Sequence, residues 1–180
     1  GGIQAIQTLW AGPWMLNITG YTPLQSATGL FWINITMLIS YFIWGYVLPK
    51  ISEYGISSIK IIKLGLPISY FSLFLIIYLG NNAGAFLFTL YIMTSIVISL
   101  TQPAIALNFS KNLAGKSLTS FNVFLFSGTF FVQWGIGLII DLCNNKGFDI
   151  LSSYRISFSL FLILCVLSYT FFIYLNKNEN

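Results

Sequence analysis

Long apolar runs separated by short polar breaks make up most of this chain. The breaks fall near residues 19–23, 50–63, 80–82, 109–116 and 143–152. Each run is about as long as the roughly 20 residues that a helix needs to cross a bilayer, and none alternates as a strand would. The pattern predicts an all-α polytopic membrane protein whose single six-helix bundle covers 1–180. The expected helices are 1–17, 24–48, 61–79, 83–108, 117–142 and 153–175.

Composition agrees with this prediction. Only 7% of the 180 residues are charged and 57% are hydrophobic, whereas soluble domains contain about 25% charged residues. Charged residues are absent from 1–49, 64–110, 117–140 and 156–176. These values exclude a soluble enzyme, a nucleic-acid-binding domain and a disordered segment.

The basic residues predict the orientation of the bundle. Six of them fall on the side that holds the 2–3 loop, the 4–5 loop and the C-terminal tail: Lys50, Lys60, Lys63, Lys111, Lys116 and Lys177. The opposite side has Lys146 and Arg155, offset by Asp141 and Asp149. Because Lys and Arg are retained on the cytoplasmic side, both termini of this segment are expected to be cytoplasmic, in a cell (inner) membrane.

The chain lacks the residues that enzyme catalysis, metal binding and proton transfer require. The chain has no histidine, its two cysteines form no metal-ligand spacing, and no acid or base lies in the middle of a predicted helix. We therefore expect no enzyme activity, no metal, no cofactor and no proton relay within this chain. Gly1-Gly2 is neither a signal peptide nor a natural start, which predicts that the chain is part of a longer polypeptide.

Polar residues recur inside four of the six predicted helices. Amide groups in hydrocarbon are expected to face other helices or a cavity. Helices 3 and 6 have almost only apolar and hydroxyl side chains, so they are expected to face lipid. The residues expected to line a polar path on helices 1, 2, 4 and 5 are Gln4, Gln7, Trp14, Asn34, Tyr91, Gln102, Asn122 and Gln133.

Two alternatives remain open for these features. Each amide can instead act as a bond between helices, worth about 0.6–2 kcal/mol. Pro13, Pro67 and Pro103 interrupt helices 1, 3 and 4, and each is either a static kink or a moving hinge. Gly128, Gly135 and Gly137 are expected to let helix 5 approach a neighbour closely.

Two motifs resemble the bacterial permeases of the major facilitator superfamily. Thr8-Leu9-Trp10-Ala11-Gly12-Pro13-Trp14 resembles their seventh helix. The second motif resembles their eleventh helix and the loop before it, and consists of Leu113-Ala114-Gly115-Lys116, Asn122, Phe126, Gly128, Gln133-Trp134-Gly135-Ile136-Gly137 and Ile140-Asp141. The resemblance covers the whole chain as helices seven to twelve.

The resemblance implies a function and a partner. In that family two six-helix halves surround a central path, and helices 1, 2, 4 and 5 of each half line it. A secondary transporter that moves a small polar solute by alternating access is therefore expected, with the N-terminal six-helix half in the same polypeptide as partner. The alternative is a membrane structural or assembly subunit without a path. The chain lacks the acid, base or metal-ligating residues that a membrane-embedded enzyme would need, and it has no filter-like motif that would indicate a channel.

Overall fold

The computed structural model describes residues 1–176, and that range consists of helices joined by short loops, with no strand. We number the helical segments α1 to α6. Four of them are continuous, and three of these are α2 Pro23–Glu53, α3 Ser58–Leu79 and α6 Ile150–Leu175. The long α5 is Lys111–Asn145. Helix α1 consists of Gly2–Ala5, a π-helical Ile6–Trp10 and Ala11–Asn17, and α4 consists of Ala85–Ser95, a 3-10 Ile96–Leu100 and Thr101–Asn108.

Five helices, α2 to α6, are long and apolar enough to cross a membrane. The three pieces of α1 contain 4, 5 and 7 residues, which at 1.5 Å per residue is about 24 Å and short of the roughly 30 Å of hydrocarbon. The structure therefore supports a multi-pass membrane location with five candidate spans. The sixth span stays a prediction.

The helices pack in a ring in which α1 lies between α2 and α5, α2 contacts α4, α4 contacts α3, and α3 contacts α6, which returns to α5. The last part of α4 also contacts α5. The main core contains side chains of α1, α2, α3, α4, α5 and α6, with Trp14, Phe88 and Phe158 among its fully buried members. Helices adjacent in sequence run antiparallel, so the α2–α3 and α4–α5 loops lie at the same end as the C-terminus of α6. Lys177, counted in the predicted orientation, lies outside the described residues.

Helix ends differ most from the sequence prediction at two places. Pro49 was expected to stop helix 2, but α2 continues to Glu53. Proline removes one amide donor and its ring crowds the carbonyl four residues earlier. That residue is Gly45, which has no neighbouring atom within 4 Å of its Cβ position, so the backbone has room to adjust. The expected loop before helix 5 is helical too, because α5 begins at Lys111.

Short polar caps fix the entry into α2 and α6. The Thr22 hydroxyl accepts from the Gln25 amide at 3.2 Å, and the Gln25 side chain accepts from the Thr22 amide at 2.9 Å, a capping box. Asp149 accepts from the Ser152 hydroxyl and from its amide. Both bonds favour the ionised carboxylate and lower the pKa of Asp149. The contribution of this cap is therefore present above the usual carboxyl range and is lost as the pH falls through the lowered pKa.

Close helix contacts depend on two glycines that the sequence analysis did not select. A Cβ atom at Gly65 of α3 would lie 2.9 Å from both methyl carbons of Val97 in α4. A Cβ at Gly29 of α2 would lie 2.8 Å from the Cβ of Ala85 and 2.9 Å from the sulfur of Met15. Among the expected packing glycines, Gly137 faces Trp10 at 3.4 Å, Gly128 lies 3.8 Å from Gly1, and Gly135 has open space. The expectation for Gly135 was therefore wrong, because it lies on a side of α5 that meets no neighbour.

Gly65→Leu is expected to destabilise the bundle by about 2 kcal/mol, because the added side chain forces α3 away from α4. The measurement is the temperature at which the half-buried Cys165 of detergent-solubilised Cys143→Ser protein reacts with a fluorescent maleimide. Gly45→Leu is the matched control and should leave that temperature unchanged. Equal losses for both variants would contradict the close α3–α4 contact.

Candidate solute cavity

A cavity of about 570 Å³ lies inside one end of the bundle. Its walls come from the second half of α2, the start of α3, the end of α4, the first half of α5 and the end of α6, together with the start of α1. These positions place it at the end of the bundle that carries the α2–α3 and α4–α5 loops, which is the predicted cytoplasmic side. A cavity of this volume is in the range of small-molecule sites.

Four of the residues expected along a polar path line this cavity together: Gln4, Gln7, Gln102 and Asn122. They come from α1, α4 and α5, which are far apart in sequence and meet only through the packing of the ring. The Gln7 amide nitrogen donates to the Asn34 side-chain oxygen at 3.4 Å and approaches the sulfur of Met37 at 3.0 Å. The side-chain amides of Gln4, Gln102 and Asn122 make no hydrogen bond to any described group of the chain, a set that leaves out the side chain of Lys111, so they remain available to a solute or to water.

Asn34 and Gln133 are engaged between or along helices rather than in the cavity wall. The Asn34 amide nitrogen donates to the Leu30 carbonyl of its own helix at 2.7 Å. The Gln133 amide nitrogen donates to the Thr8 hydroxyl at 2.9 Å, and its backbone carbonyl accepts from the Trp10 indole at 3.2 Å. Gln133 therefore binds α5 to α1, as the interhelical alternative describes.

Trp14 lies in the core, away from the cavity. It is fully buried, and its indole N–H donates to the Ala83 carbonyl at 3.1 Å. Its ring stacks on Phe158 with centroids 5.0 Å apart and contacts Phe88 and Tyr154 edge-on. This environment is that of a packing residue.

Tyr91 is also buried in the core, on α4. Its hydroxyl oxygen is fully enclosed and finds no hydrogen-bond partner among the described residues. Tyr91 does not line the cavity, although Ile92 and Ser95 beside it do. Tyr91, Ser95 and Gln102 share one side of helix 4 in sequence, but only Ser95 and Gln102 line the cavity, because Tyr91 lies deeper in the core.

Aromatic residues form much of the cavity wall, and the sequence analysis did not single them out. Helices α3 and α6 contribute as well, although they were expected to face only lipid. Their outer surfaces are apolar, but one inner edge of each reaches the cavity. Tyr70 of α3 and Tyr169 of α6 meet edge-on at 5.8 Å, and the Tyr169 hydroxyl donates to the Lys63 carbonyl at 2.7 Å. The aromatic and tyrosyl side chains of the wall are Tyr41, Tyr70, Phe121, Phe124, Phe126, Tyr169 and Phe172.

Two irregular helix segments border the cavity. The π-helical segment of α1 contains Gln7 and precedes Pro13. The 3-10 segment of α4 contains Ser99 and precedes Pro103. Each proline lacks the amide hydrogen that the carbonyl four residues earlier would accept, which are the carbonyls of Leu9 and Ser99. The backbone is therefore irregular beside the cavity, where polar groups and water can satisfy it; α3 remains α-helical through Pro67.

None of the residues that line the cavity is acidic or basic. Its chemistry is that of amides, hydroxyls and aromatic rings, which hydrogen-bond and stack without a fixed charge. Comparisons of the chain with protein-family models, with curated proteins and with solved structures found no match.

Proposed function

We propose that this chain is the C-terminal six-helix half of a secondary active transporter of the major facilitator type, which moves a small polar solute by alternating access. The cavity that collects Gln4, Gln7, Gln102 and Asn122 is the observation that carries this proposal. An amide side chain that makes no bond within the protein has no role in a packed helix interface. The same amide is useful beside a solute, which it can bind in the absence of a fixed charge.

The distribution of exposed residues supports a second bundle over one face. Between Leu64 and Leu79 the exposed side chains of α3 are aliphatic or aromatic, with Tyr78 near the helix end as the one that carries a hydroxyl, as expected of a surface in lipid. Helices α1, α2, α4 and α5 instead expose Gln4, Asn34, Gln102 and Asn122. Because unsatisfied amides in hydrocarbon are costly, this polar face favours a protein or aqueous neighbour. In the proposed transporter that neighbour is the N-terminal half of the same polypeptide, and α1 completes the sixth span.

A structural or assembly subunit is the second candidate. The pairing of Gln7 with Asn34 and of Gln133 with Thr8 favours it, since these bonds join neighbouring helices. It offers no role for the amides of Gln4, Gln102 and Asn122, which is why we prefer the transporter.

Cysteine accessibility separates the two candidates without knowledge of the solute. The background is the full-length protein with Cys143→Ser and Cys165→Ala. Gln102→Cys in membrane vesicles is expected to react with a charged, membrane-impermeant thiol reagent from the cytoplasmic face. A transporter also predicts slower reaction from the opposite face, because the central path opens to each side in turn.

Phe71→Cys is the matched control, since Phe71 is 59% exposed on the apolar outer surface of α3. A charged reagent does not enter hydrocarbon, so this position should stay unreactive. Failure of Gln102→Cys to react from either face would favour the structural subunit.

A further inference from the structure

The wall of the cavity offers both kinds of hydrogen-bonding group. Each side-chain amide of Gln4, Gln102 and Asn122 has one carbonyl acceptor and two N–H donors. The hydroxyls of Ser99 and Thr101 lie in the same wall, but the Ser99 hydroxyl already donates to the Ile96 carbonyl at 2.7 Å. The unpaired amides thus match a solute whose own donors and acceptors lie side by side.

Aromatic rings surround these amides on several sides. Tyr41 comes from α2, Tyr70 from α3, Phe121 and Phe124 from α5, and Tyr169 from α6. Rings placed on four helices around one space offer faces and edges against which a flat molecule can stack. A purely hydroxylated solute without a ring would leave most of these surfaces without a complementary contact.

The side chains that line the cavity offer no fixed charge to a solute. Lys63, next in sequence to the lining residue Ile62, donates to the Asn176 carbonyl at 2.8 Å and does not line the cavity. Lys50 lies 4.0 Å above the ring of Tyr46, on the outer part of α2. An ionic solute would therefore lose water without gaining an opposite charge from this bundle, which is costly.

We infer that the cavity receives an uncharged solute that combines a flat ring with adjacent hydrogen-bond donors and acceptors. This inference depends on the proposed function, in which the cavity is part of a solute path. The cavity volume of about 570 Å³ accommodates a molecule of one or two rings with its polar substituents.

The test measures the chemistry of the cavity with four methanethiosulfonate reagents. The benzyl reagent is neutral with a ring, the hydroxyethyl reagent is neutral without one, and the trimethylammonium-ethyl and sulfonatoethyl reagents carry opposite charges. Rates at Gln102→Cys, in the cysteine-replaced background, are divided by the rates at the exposed Ser52→Cys. The expected order is benzyl, then hydroxyethyl, then both charged reagents, with about tenfold between the first and the last.

A second variant shows whether the reagents arrive through the cavity. Asn122→Asp, combined with Gln102→Cys, places a carboxylate in the same wall. It should raise the normalised rate of the cationic reagent and lower that of the anionic reagent. The control Ser120→Asp lies on an exposed part of α5 that does not line the cavity, and it should change neither rate.

The outcomes separate this inference from the proposed function. Equal normalised rates for neutral and charged reagents, or equal rates for benzyl and hydroxyethyl reagents, would overturn the inference and leave the transport proposal standing. An unchanged charge preference in Asn122→Asp would also overturn it, because the two residues would not share a wall. An absence of reaction at Gln102→Cys with every reagent would overturn both.

Discussion

Trp14→Ala will destabilise the bundle by about 3 kcal/mol, the largest loss that we expect from any single substitution in this chain. Trp14 is fully buried against Phe88, Tyr154 and Phe158, so its removal leaves a void that these three rings fill only in part. Packing accounts for most of this cost. The Ala83 carbonyl would lose the indole donor but keep the Thr19 hydroxyl at 3.1 Å.

The maleimide assay on Cys165 measures this loss, and a shift of roughly 10 °C in the midpoint is expected. Trp32→Ala is the matched control, because Trp32 is 57% exposed on α2 and should shift the midpoint little. Trp14→Phe should fall between the two, since it keeps a ring in the cluster. A Trp14→Ala protein with the wild-type midpoint but altered accessibility at Gln102→Cys would place Trp14 in the path after all.

Arg155→Met will weaken the far end of the bundle by about 2 kcal/mol. Arg155 of α6 donates from Nε to the Ile77 carbonyl at 2.9 Å and from Nη2 to the Tyr78 carbonyl at 2.8 Å. These carbonyls belong to the last turn of α3, where four carbonyl groups have no partner within the helix. A cation at a helix C-terminus also favours the helix dipole.

The backbone around Arg155 favours a guanidinium group as the cap of the α3 C-terminus. Gly80 follows α3 with a φ of +55°, and a Cβ there would lie 2.7 Å from Arg155 Nη2, so the chain turns tightly around the guanidinium. Arg155→Lys retains the charge and loses the two-nitrogen geometry, so it should recover part of the stability. Lys146→Met, at an exposed position of the same end, is the control. If Lys146→Met lost as much stability as Arg155→Met, the net charge would be responsible and not the hydrogen bonds of Arg155 to the end of α3.

The prolines show how much of the helix irregularity can be predicted from local sequence. The prolines at 13, 67 and 103 were expected to interrupt their helices; irregular segments precede Pro13 and Pro103, whereas the expectation for Pro67 was wrong. The type of irregularity was not predictable, because a π-turn and a 3-10 turn are alternative ways to accommodate one missing amide. Pro67 and Pro49 lie within continuous α-helix, since the neighbouring backbone could absorb the strain at those positions.

The residues expected along the polar path fall into two groups in the structure, those in the cavity wall and those in the core. Periodicity places Gln4, Gln7, Gln102 and Asn122 on inward-facing stripes of their helices, and all four line the cavity. Trp14 and Tyr91 belong to the same stripes but lie deeper, where they pack among other rings. A helical stripe specifies a direction around the axis and does not specify the depth at which a cavity ends.

The sequence alone determined that this protein is suited to a lipid environment and not to water, and it determined the approximate positions of the helices. Charge-free apolar runs of about 20 residues are unfavourable in water and long enough to cross a bilayer. The fold class and the order of the helices along the chain therefore follow without tertiary information. Only the tertiary structure decided which amides meet, which are consumed in bonds between helices, and that aromatic side chains of α3 and α6 enclose the same cavity. These properties depend on the packing of residues that are far apart in sequence, such as Gln4 and Phe172 in one wall, 168 positions apart. No local pattern in a sequence specifies a contact at that separation.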